Sequence, residues 1–564
     1  MDLYQYALEN VEEKDRENYI KQKFETCMRN LKRYVVCKEM NILTNSMTYV
    51  FEHIKDALVE VITTFIHPSK RERISQKKWD DIEYRKDLLD ILIELDYRSI
   101  ILWFFLYTNY YNHEDLDNQR KQLLENIELL NQFFPKKMYF ESADDLYWSC
   151  PVTNLLFSVS YQNRNNKTIL EKYSALMRKI CPDLNYDIVT GKPHKKNNKI
   201  RVLFLSEFLT MDSSVLRDRM GIMVKLPRSK FEVFYAAYTE PEKINGNVSK
   251  HVYQVMGKNY LQLTDEIKHN RNLIGRHNFD IIVYCELGMR MRPYWLAYSR
   301  LAPVQITTWG HSETSGINTL DYYVSSKYFE HEKAQNHYSE KLIMMDSLST
   351  YYFPPSQILI NDFQYKTRKD LGLDNNVNIY GCIQSSFKIS KQFEMILYHI
   401  LEKDKNGYIL MSYYKPFCKS QMDRMYETFG EEKFRRLVFY PALDINNYLN
   451  LVKLMDVMLD PYPFGGCNTS YEAFDYDIPV VTFPTRFLNG RFTFGLYKKM
   501  GFIDMIATTA DNYVKIAIKC ANDKAWRQSI VDKIKENKYA IFMEEESVTD
   551  WSNLLEEKGN EING

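Results

Sequence analysis

Leu459-Asp-Pro-Tyr-Pro-Phe-Gly-Gly-Cys-Asn-Thr-Ser-Tyr-Glu-Ala-Phe474, continuing as Asp475-Tyr-Asp-Ile-Pro-Val-Val-Thr-Phe-Pro484, reads as strand end, glycine loop, helix start and second strand. Val457 to Leu459 close an apolar run, and Pro461 and Pro463 stop regular structure from continuing. Gly465 and Gly466 permit a tight backbone approach. Asn468, Thr469 and Ser470 are all residues that favour a helix N-cap, and Glu472 falls in the first turn they would start. The helix must be short, because Pro479 leads into the β-branched run Val480-Val-Thr482. A helix N-terminus that opens from a glycine loop at a strand end is suited to a phosphate or diphosphate, since its free N–H groups and positive dipole end face the anion. A carboxylate a few residues inside such a helix reaches ribose hydroxyls by the logic of dinucleotide-binding folds.

Working outward, the chain before this stretch divides into two textures. From residue 1 to about 190, apolar residues recur at three and four spacing, as in Leu88-Leu89-Ile91-Leu92-Leu95 and Leu123-Leu124-Ile127-Leu129-Leu130. This predicts an all-helical domain, either a degenerate helical-repeat array or an unrelated bundle, with Trp103, Phe104 and Phe105 in its core. Asp187 to Asn198 is a polar, basic linker. At Ile200 the pattern changes to strands alternating with helices: Ile200–Leu205, Phe231–Ala237, Tyr260–Leu263, Asp280–Tyr284 and Leu301–Thr308. A second set follows at Ile379–Ile383, Tyr408–Ser412 and Leu437–Tyr440. Such alternation predicts doubly wound parallel sheets whose ligands sit at the carboxyl ends of the strands. Ser206–Ser214, Glu286–Met289 and Trp309–Gly316 are the loops that rule selects in the first sheet. From Asp511 to Glu557 the text is helical, with a last segment expected to cross back to the first sheet and Lys558–Gly564 expected to fray. The expected domains are therefore 1–190, 196–355, 356–545 and a C-terminal helix and tail over 546–564.

Composition narrows the function classes. Lys+Arg and Asp+Glu both total 74, so no global field draws the chain to nucleic acid or an anionic membrane. The nine cysteines form no Cys-x-x-Cys pair and read as reduced thiols in a cytoplasmic setting. The first residues lack the basic and apolar regions of a signal peptide. The longest apolar run, Ile100 to Tyr107, is far short of the ~20 residues a bilayer span needs. No Asp-x-Asp metal signature lies in a suitable loop; Asp475-Tyr-Asp477 falls at the far end of the short helix.

Asp-Pro-Tyr-Pro-Phe-Gly-Gly-x-Asn-Thr-Ser-x-Glu-Ala, followed by Ile-Pro-Val-Val-Thr, closely resembles the donor-binding segment of the O-GlcNAc transferase/SPINDLY family of glycosyltransferases. Ala302-Pro-Val-Gln305, with Gly310, His311, Thr314-Ser-Gly316 and Asp321-Tyr322, resembles a second segment of the same family. The loop Gln384-Ser-Ser-Phe-Lys388 resembles the one whose lysine contacts the departing diphosphate. Over roughly residues 175–540 the resemblance implies a GT-B fold, two Rossmann-like domains behind an all-α domain, working without a metal or cofactor. It implies inverting transfer of a sugar, foremost GlcNAc from UDP-GlcNAc, to protein Ser or Thr hydroxyls. Lys388 would stabilise the leaving phosphate, His311 would bind donor phosphate, orient the acceptor or move a proton, and Glu207 or Asp212 would serve as base. Gly466, Cys467, Asn468 and Thr469 would cradle the diphosphate and Glu472 hold the ribose, with Gln384, Gly465 and Ser470 also in the donor-binding set and Arg491 holding a phosphate or a neighbouring helix.

Two departures keep alternatives open. Ile445 and Tyr448 stand where the animal relative has a lysine and a histidine, so Tyr448 would stack on the base and the base itself is not fixed. Relatives often carry a histidine shortly after the first strand, where this chain has Leu209-Thr-Met-Asp-Ser-Ser214. UDP-glucose or GDP-fucose as donor, asparagine or a glycan as acceptor, a nucleotide-sugar epimerase, and a catalytically silent helical adaptor all remain as readings. The oligomeric state is not legible.

Overall fold

The computed structural model describes residues 81–94, 98–106, 116–149, 153–189, 198–358, 367–372, 374, 376–413, 415–441 and 443–563. Two compact units emerge, one of residues 1–139, 148–155 and 415–422, the other of 140–147, 156–414 and 423–564.

In the first unit the helices Ile82–Glu94, Arg98–Leu106 and Leu116–Phe133 bury the apolar faces their spacing predicts. Leu88, Leu89, Leu92, Phe105, Leu123, Ile127 and Leu130 are all buried. Arg85 is buried with them, donating to the Asn126 side chain at 2.8 Å and pairing with Glu125 at 2.5 Å. The side chains of Trp103 and Phe104 and the whole of residues 1–80 lie outside the described residues.

The second unit holds two parallel α/β sheets of GT-B type. The first has seven strands in the order β3-β2-β1-β4-β5-β6-β7. They are β1 Ile200–Leu205, β2 Phe231–Ala237, β3 Tyr260–Gln262, β4 Ile281–Tyr284, β5 Val304–Thr308, β6 Tyr322–Ser326 and β7 Lys341–Met345. The second has five in the order β10-β9-β8-β11-β12. These are β8 Asn378–Cys382, β9 Gly407–Tyr413, β10 Leu437–Pro441, β11 Val457–Leu459 and β12 Val480–Val481. β4 is a continuous apolar run, and so is β1 after Arg201, because both sheet faces carry helices, the signature of buried parallel strands. β6 and β7 were not expected. Tyr322, Ser325 and Ser326 in β6 and Lys341 in β7 interrupt the apolar pattern.

The C-terminal helix Glu545–Asn563 returns to the first sheet, as the sequence suggests. Trp551 is fully buried, its ring centroid 6.4 Å from that of Phe204 in β1. Its indole N–H donates to the carbonyl of Ser349 at 3.0 Å, and the Asp550 carboxylate accepts from the backbone of Ser347 at 3.0 Å. The expected fraying from Lys558 does not occur, because the helix continues to Asn563 and keeps Lys558 buried between its partners Glu557 and Glu561. Gly559 allows this close pass: a Cβ there would stand 2.5 Å from the Ile200 side chain.

Trp551→Ala should therefore cost about 3–5 kcal/mol, seen as a lower urea midpoint. Trp551→Phe, which removes the N–H bond and keeps most of the ring, should cost only about 1–2 kcal/mol. Equal midpoints for wild type and the alanine variant would contradict this packing.

Candidate functional site

The carboxyl ends of β1, β4 and β5 and those of β8 and β11 face one cleft of about 440 Å³. Behind its wall stands Asp460, the residue after β11. This buried carboxylate accepts from the backbone N–H of Gly466 at 2.5 Å and from the Thr482 hydroxyl at 2.8 Å. The glycine loop is thus folded around an anion. A Cβ on Gly466 would meet the Thr469 hydroxyl at 2.2 Å, so the position needs glycine.

The helix that follows spans Asn468–Asp475. Cys467 occupies its N-cap position without a side-chain cap bond, so none of Asn468, Thr469 and Ser470 caps it as expected. As the first three residues of the helix instead, they have side chains free of the cap role. Asn468 donates to Asp218 at 3.1 Å and accepts from the Tyr352 hydroxyl at 2.6 Å. Ser470 pairs with Thr493 at 2.7 Å, facing the core. The Thr469 hydroxyl is buried with no protein partner. Both polar atoms of Gln384 share that condition, with the residue 3 % exposed on the cleft wall. Buried polar atoms without partners are costly, and a polyoxygen ligand would satisfy these.

Lys388 ends the turn Ser386–Lys388 after β8. Its ammonium donates to the carbonyl of Gly465 at 2.7 Å and lies 4.4 Å from the centre of the Phe464 ring. Burial pushes its pKa down to about 8, against the pull of Asp460. A cation thus stands beside the helix N-terminus, whose first N–H groups have no intrahelical acceptor.

His311, in the loop after β5, is 5 % exposed, and its Nε2 lies 3.3 Å from the carbonyl of Leu156. Because that carbonyl can only accept, Nε2 carries the hydrogen. Burial pushes the imidazole pKa down to about 4, so the ring is neutral at physiological pH. It stacks on Phe157 with ring centroids 5.9 Å apart. Phe157, Tyr161, Phe387 and Phe464 continue as a chain of ring contacts along the cleft wall.

Glu472 is 2 % exposed and already engaged on both oxygens. Arg217 contacts one at 2.5 Å and the Tyr448 hydroxyl donates to the other at 2.8 Å. Tyr448 lies on helix Ile445–Lys453, where Asp444 is the cap. Arg217 and Asp218 come from helix Ser214–Lys225, and both line the cleft. Burial pushes the Asp218 pKa up to about 6 although Arg219 and Arg217 pull it down.

Not every expected residue reaches this cleft. Glu207 is held by Arg292 through two hydrogen bonds, at 2.5 and 3.2 Å. Asp212 accepts from the backbone of Ser249 at 2.9 Å and so serves the helix Asn247–Met256. Arg491 donates to the carbonyls of Phe329 and Thr485, at 2.6 and 3.1 Å, and stays with the loops it joins. Lys388, His311, Gln384, Tyr448, Gly465, Cys467, Asn468, Thr469 and Glu472 do line one cavity. Arg217 and Asp218 are additions. Their signal was the run Arg217-Asp218-Arg219 inside an otherwise apolar helix that starts after the carboxyl end of β1.

Residues 355–544 match the model of Glycosyl transferase family 41. The match covers the stretch that carries the second sheet. Among the chain's relatives, the probable UDP-N-acetylglucosamine–peptide N-acetylglucosaminyltransferase SPINDLY of Arabidopsis thaliana is 22 % identical over 353 residues, 61 % of this chain and 35 % of the relative. The SPINDLY protein of Solanum lycopersicum is 25 % identical over 229 residues, 40 % of this chain and 24 % of the relative. The UDP-glucose:protein N-beta-glucosyltransferase of Actinobacillus pleuropneumoniae serotype 5b is 23 % identical over 355 residues, 61 % of this chain and 54 % of that one. The chain thus spans about a quarter to a third of the SPINDLY relatives it matches. A mutant of the Thermobaculum terrenum O-GlcNAc transferase superposes with a TM-score of 0.63 at 16 % identity, covering 99 % of this chain and 98 % of that one, which fixes the fold. Among the described residues no helix is long and apolar enough to cross a membrane.

The environment of His311 predicts that its ring resonances, followed by NMR of histidine-labelled protein, do not titrate between pH 5 and 8. A midpoint near the ordinary 6.5 would contradict a buried neutral ring.

Proposed function

We propose that the chain is an inverting glycosyltransferase that passes a sugar, foremost GlcNAc from UDP-GlcNAc, to Ser or Thr hydroxyls of protein. The observation that carries this reading is the Lys388 ammonium at the Gly465 carbonyl, beside the N-terminus of the Asn468–Asp475 helix. Breaking a sugar–diphosphate bond leaves new negative charge on the leaving oxygen. A fixed cation and free N–H groups at that point stabilise the transition state more than the ground state. Thr469 and Gln384 hold unpaired polar atoms on the same wall. Glu472 is the acceptor for ribose hydroxyls. Tyr448, with its hydroxyl committed to Glu472, has its ring to offer a base.

His311, with its pKa near 4, is a poor base at neutral pH and is assigned to shaping the acceptor side of the cleft. Asp218, and not Glu207 or Asp212, is the carboxylate in place to act as base. It lines the cleft, and a carboxylate with a pKa near 6 is suited to receive the proton of an attacking hydroxyl. A second reading, transfer of glucose to asparagine, is favoured by the match to the Actinobacillus N-glucosyltransferase. The reading places donor binding in this cleft and takes a protein as acceptor.

Thermal shift with UDP, UDP-GlcNAc, UDP-glucose, GDP and GDP-fucose should show stabilisation by the UDP compounds that Lys388→Ala largely loses. Turnover of that variant should fall about 10²–10³-fold, the size of a lost transition-state donor. Response to GDP compounds alone would redirect the reading to a fucosyltransferase, and response to none would overturn it. The free-enzyme kcat/KM should be bell-shaped with pH. It should fall below about pH 6 as Asp218 gains a proton and above about pH 8 as Lys388 loses one. Asp218→Asn should abolish the acidic limb; its persistence would exclude Asp218 as the base.

A further inference from the structure

We propose that Arg217, reaching across from the first sheet, is a positioning residue that makes ribose recognition by Glu472 possible. The proposal rests on the donor site assigned above and adds a residue to it.

Arg217 is firmly mounted. Ser213 caps its helix by accepting from the backbone of Leu216 at 3.1 Å. The next residue, Asp218, gives its carbonyl to the Thr350 hydroxyl at 2.6 Å. Arg219, fully buried, lies 4.0 Å from the centre of the Trp309 ring and donates to the carbonyl of Ser349 at 2.9 Å. From this mount Arg217 and Asp218 grip two residues one turn apart on the donor helix, Glu472 at 2.5 Å and Asn468 at 3.1 Å.

The Arg217 and Glu472 side chains are only 11 and 3 % exposed. A carboxylate removed from water to that degree is strongly disfavoured without a counter-charge, and losing one partner of such a pair leaves the other buried and alone. Arg217 supplies that charge, while the Tyr448 hydroxyl fixes the second oxygen. A carboxylate offers about four lone-pair sites. With one hydrogen bond on each oxygen, acceptor capacity remains for two ribose hydroxyls, on a group held against rotation. Without Arg217 the carboxylate would lose its anchor and turn away. The hydroxyl contacts would go, while Lys388 and the helix N-terminus would still hold the diphosphate.

That asymmetry is the test. Calorimetric titration of the intact chain would compare UDP with 2′,3′-dideoxy-UDP (or the GDP pair, should GDP bind better). Wild type should prefer the natural ribose by at least about tenfold, as a site built around a hydroxyl rejects an analogue lacking it. Arg217→Met should bring the two affinities within about threefold by weakening only the natural ligand, and Arg217→Lys should restore part of the preference. Tyr448→Phe should erode it in the same direction and serves if the methionine variant does not fold. An unchanged preference in Arg217→Met, or equal weakening of both ligands, would overturn the proposal. Equal affinity of wild type for both would overturn it while leaving the donor site standing. Binding of neither by wild type would remove the donor site and this residue's role together.

Discussion

The buried carboxylate of Asp460 is the constraint around which this molecule is arranged. It sits at the end of β11, where it gathers the N–H of Gly466 and the hydroxyl of Thr482, while its backbone carbonyl receives the Tyr513 hydroxyl at 3.0 Å. Burial pushes its pKa up even though these donors and Lys388 pull it down. Bending the glycine loop around it directs the carbonyl of Gly465 to Lys388 and starts the next helix at Asn468. The same few residues therefore fix the loop, the cation and the helix N-terminus.

The charges of the cleft follow from two layers meeting there. The second sheet contributes Lys388 and Glu472; the first contributes Arg217, Asp218 and His311. Burial displaces Lys388, Asp218 and His311 from their behaviour in water, which is the condition under which a side chain becomes useful to a reaction at neutral pH. A lysine with its pKa near 8 is still mostly a cation at pH 7, and an aspartate with its pKa near 6 is still mostly an anion. The histidine, by contrast, is kept neutral.

Much of this was legible in the sequence because parallel sheets announce themselves as apolar runs and because ligands gather at strand carboxyl ends. The stretch around Gly465 and Gly466 marks the site in the sequence itself. What the sequence hid was contact across distance. Glu207 and Asp212 sit in a loop of the right kind, yet Arg292 and the backbone of Ser249 take their carboxylates. Arg217 and Asp218 carry no local signal of their partners, Glu472 and Asn468, which lie some 250 residues later in the chain. β6 and β7 were missed because polar residues break their pattern, whereas pairing with β5 supplies the order that local propensity does not. The N-cap assignment slipped by one residue, to Cys467, a shift within the ordinary uncertainty of helix ends that nonetheless changes which side chains are free.

The most direct measurement is a crystal structure of the chain with UDP. The account predicts the diphosphate at the N-terminus of the Asn468–Asp475 helix, with a terminal phosphate oxygen about 3 Å from the Lys388 nitrogen and the ribose hydroxyls on Glu472. A nucleotide bound elsewhere, or a diphosphate turned away from Lys388, would contradict it.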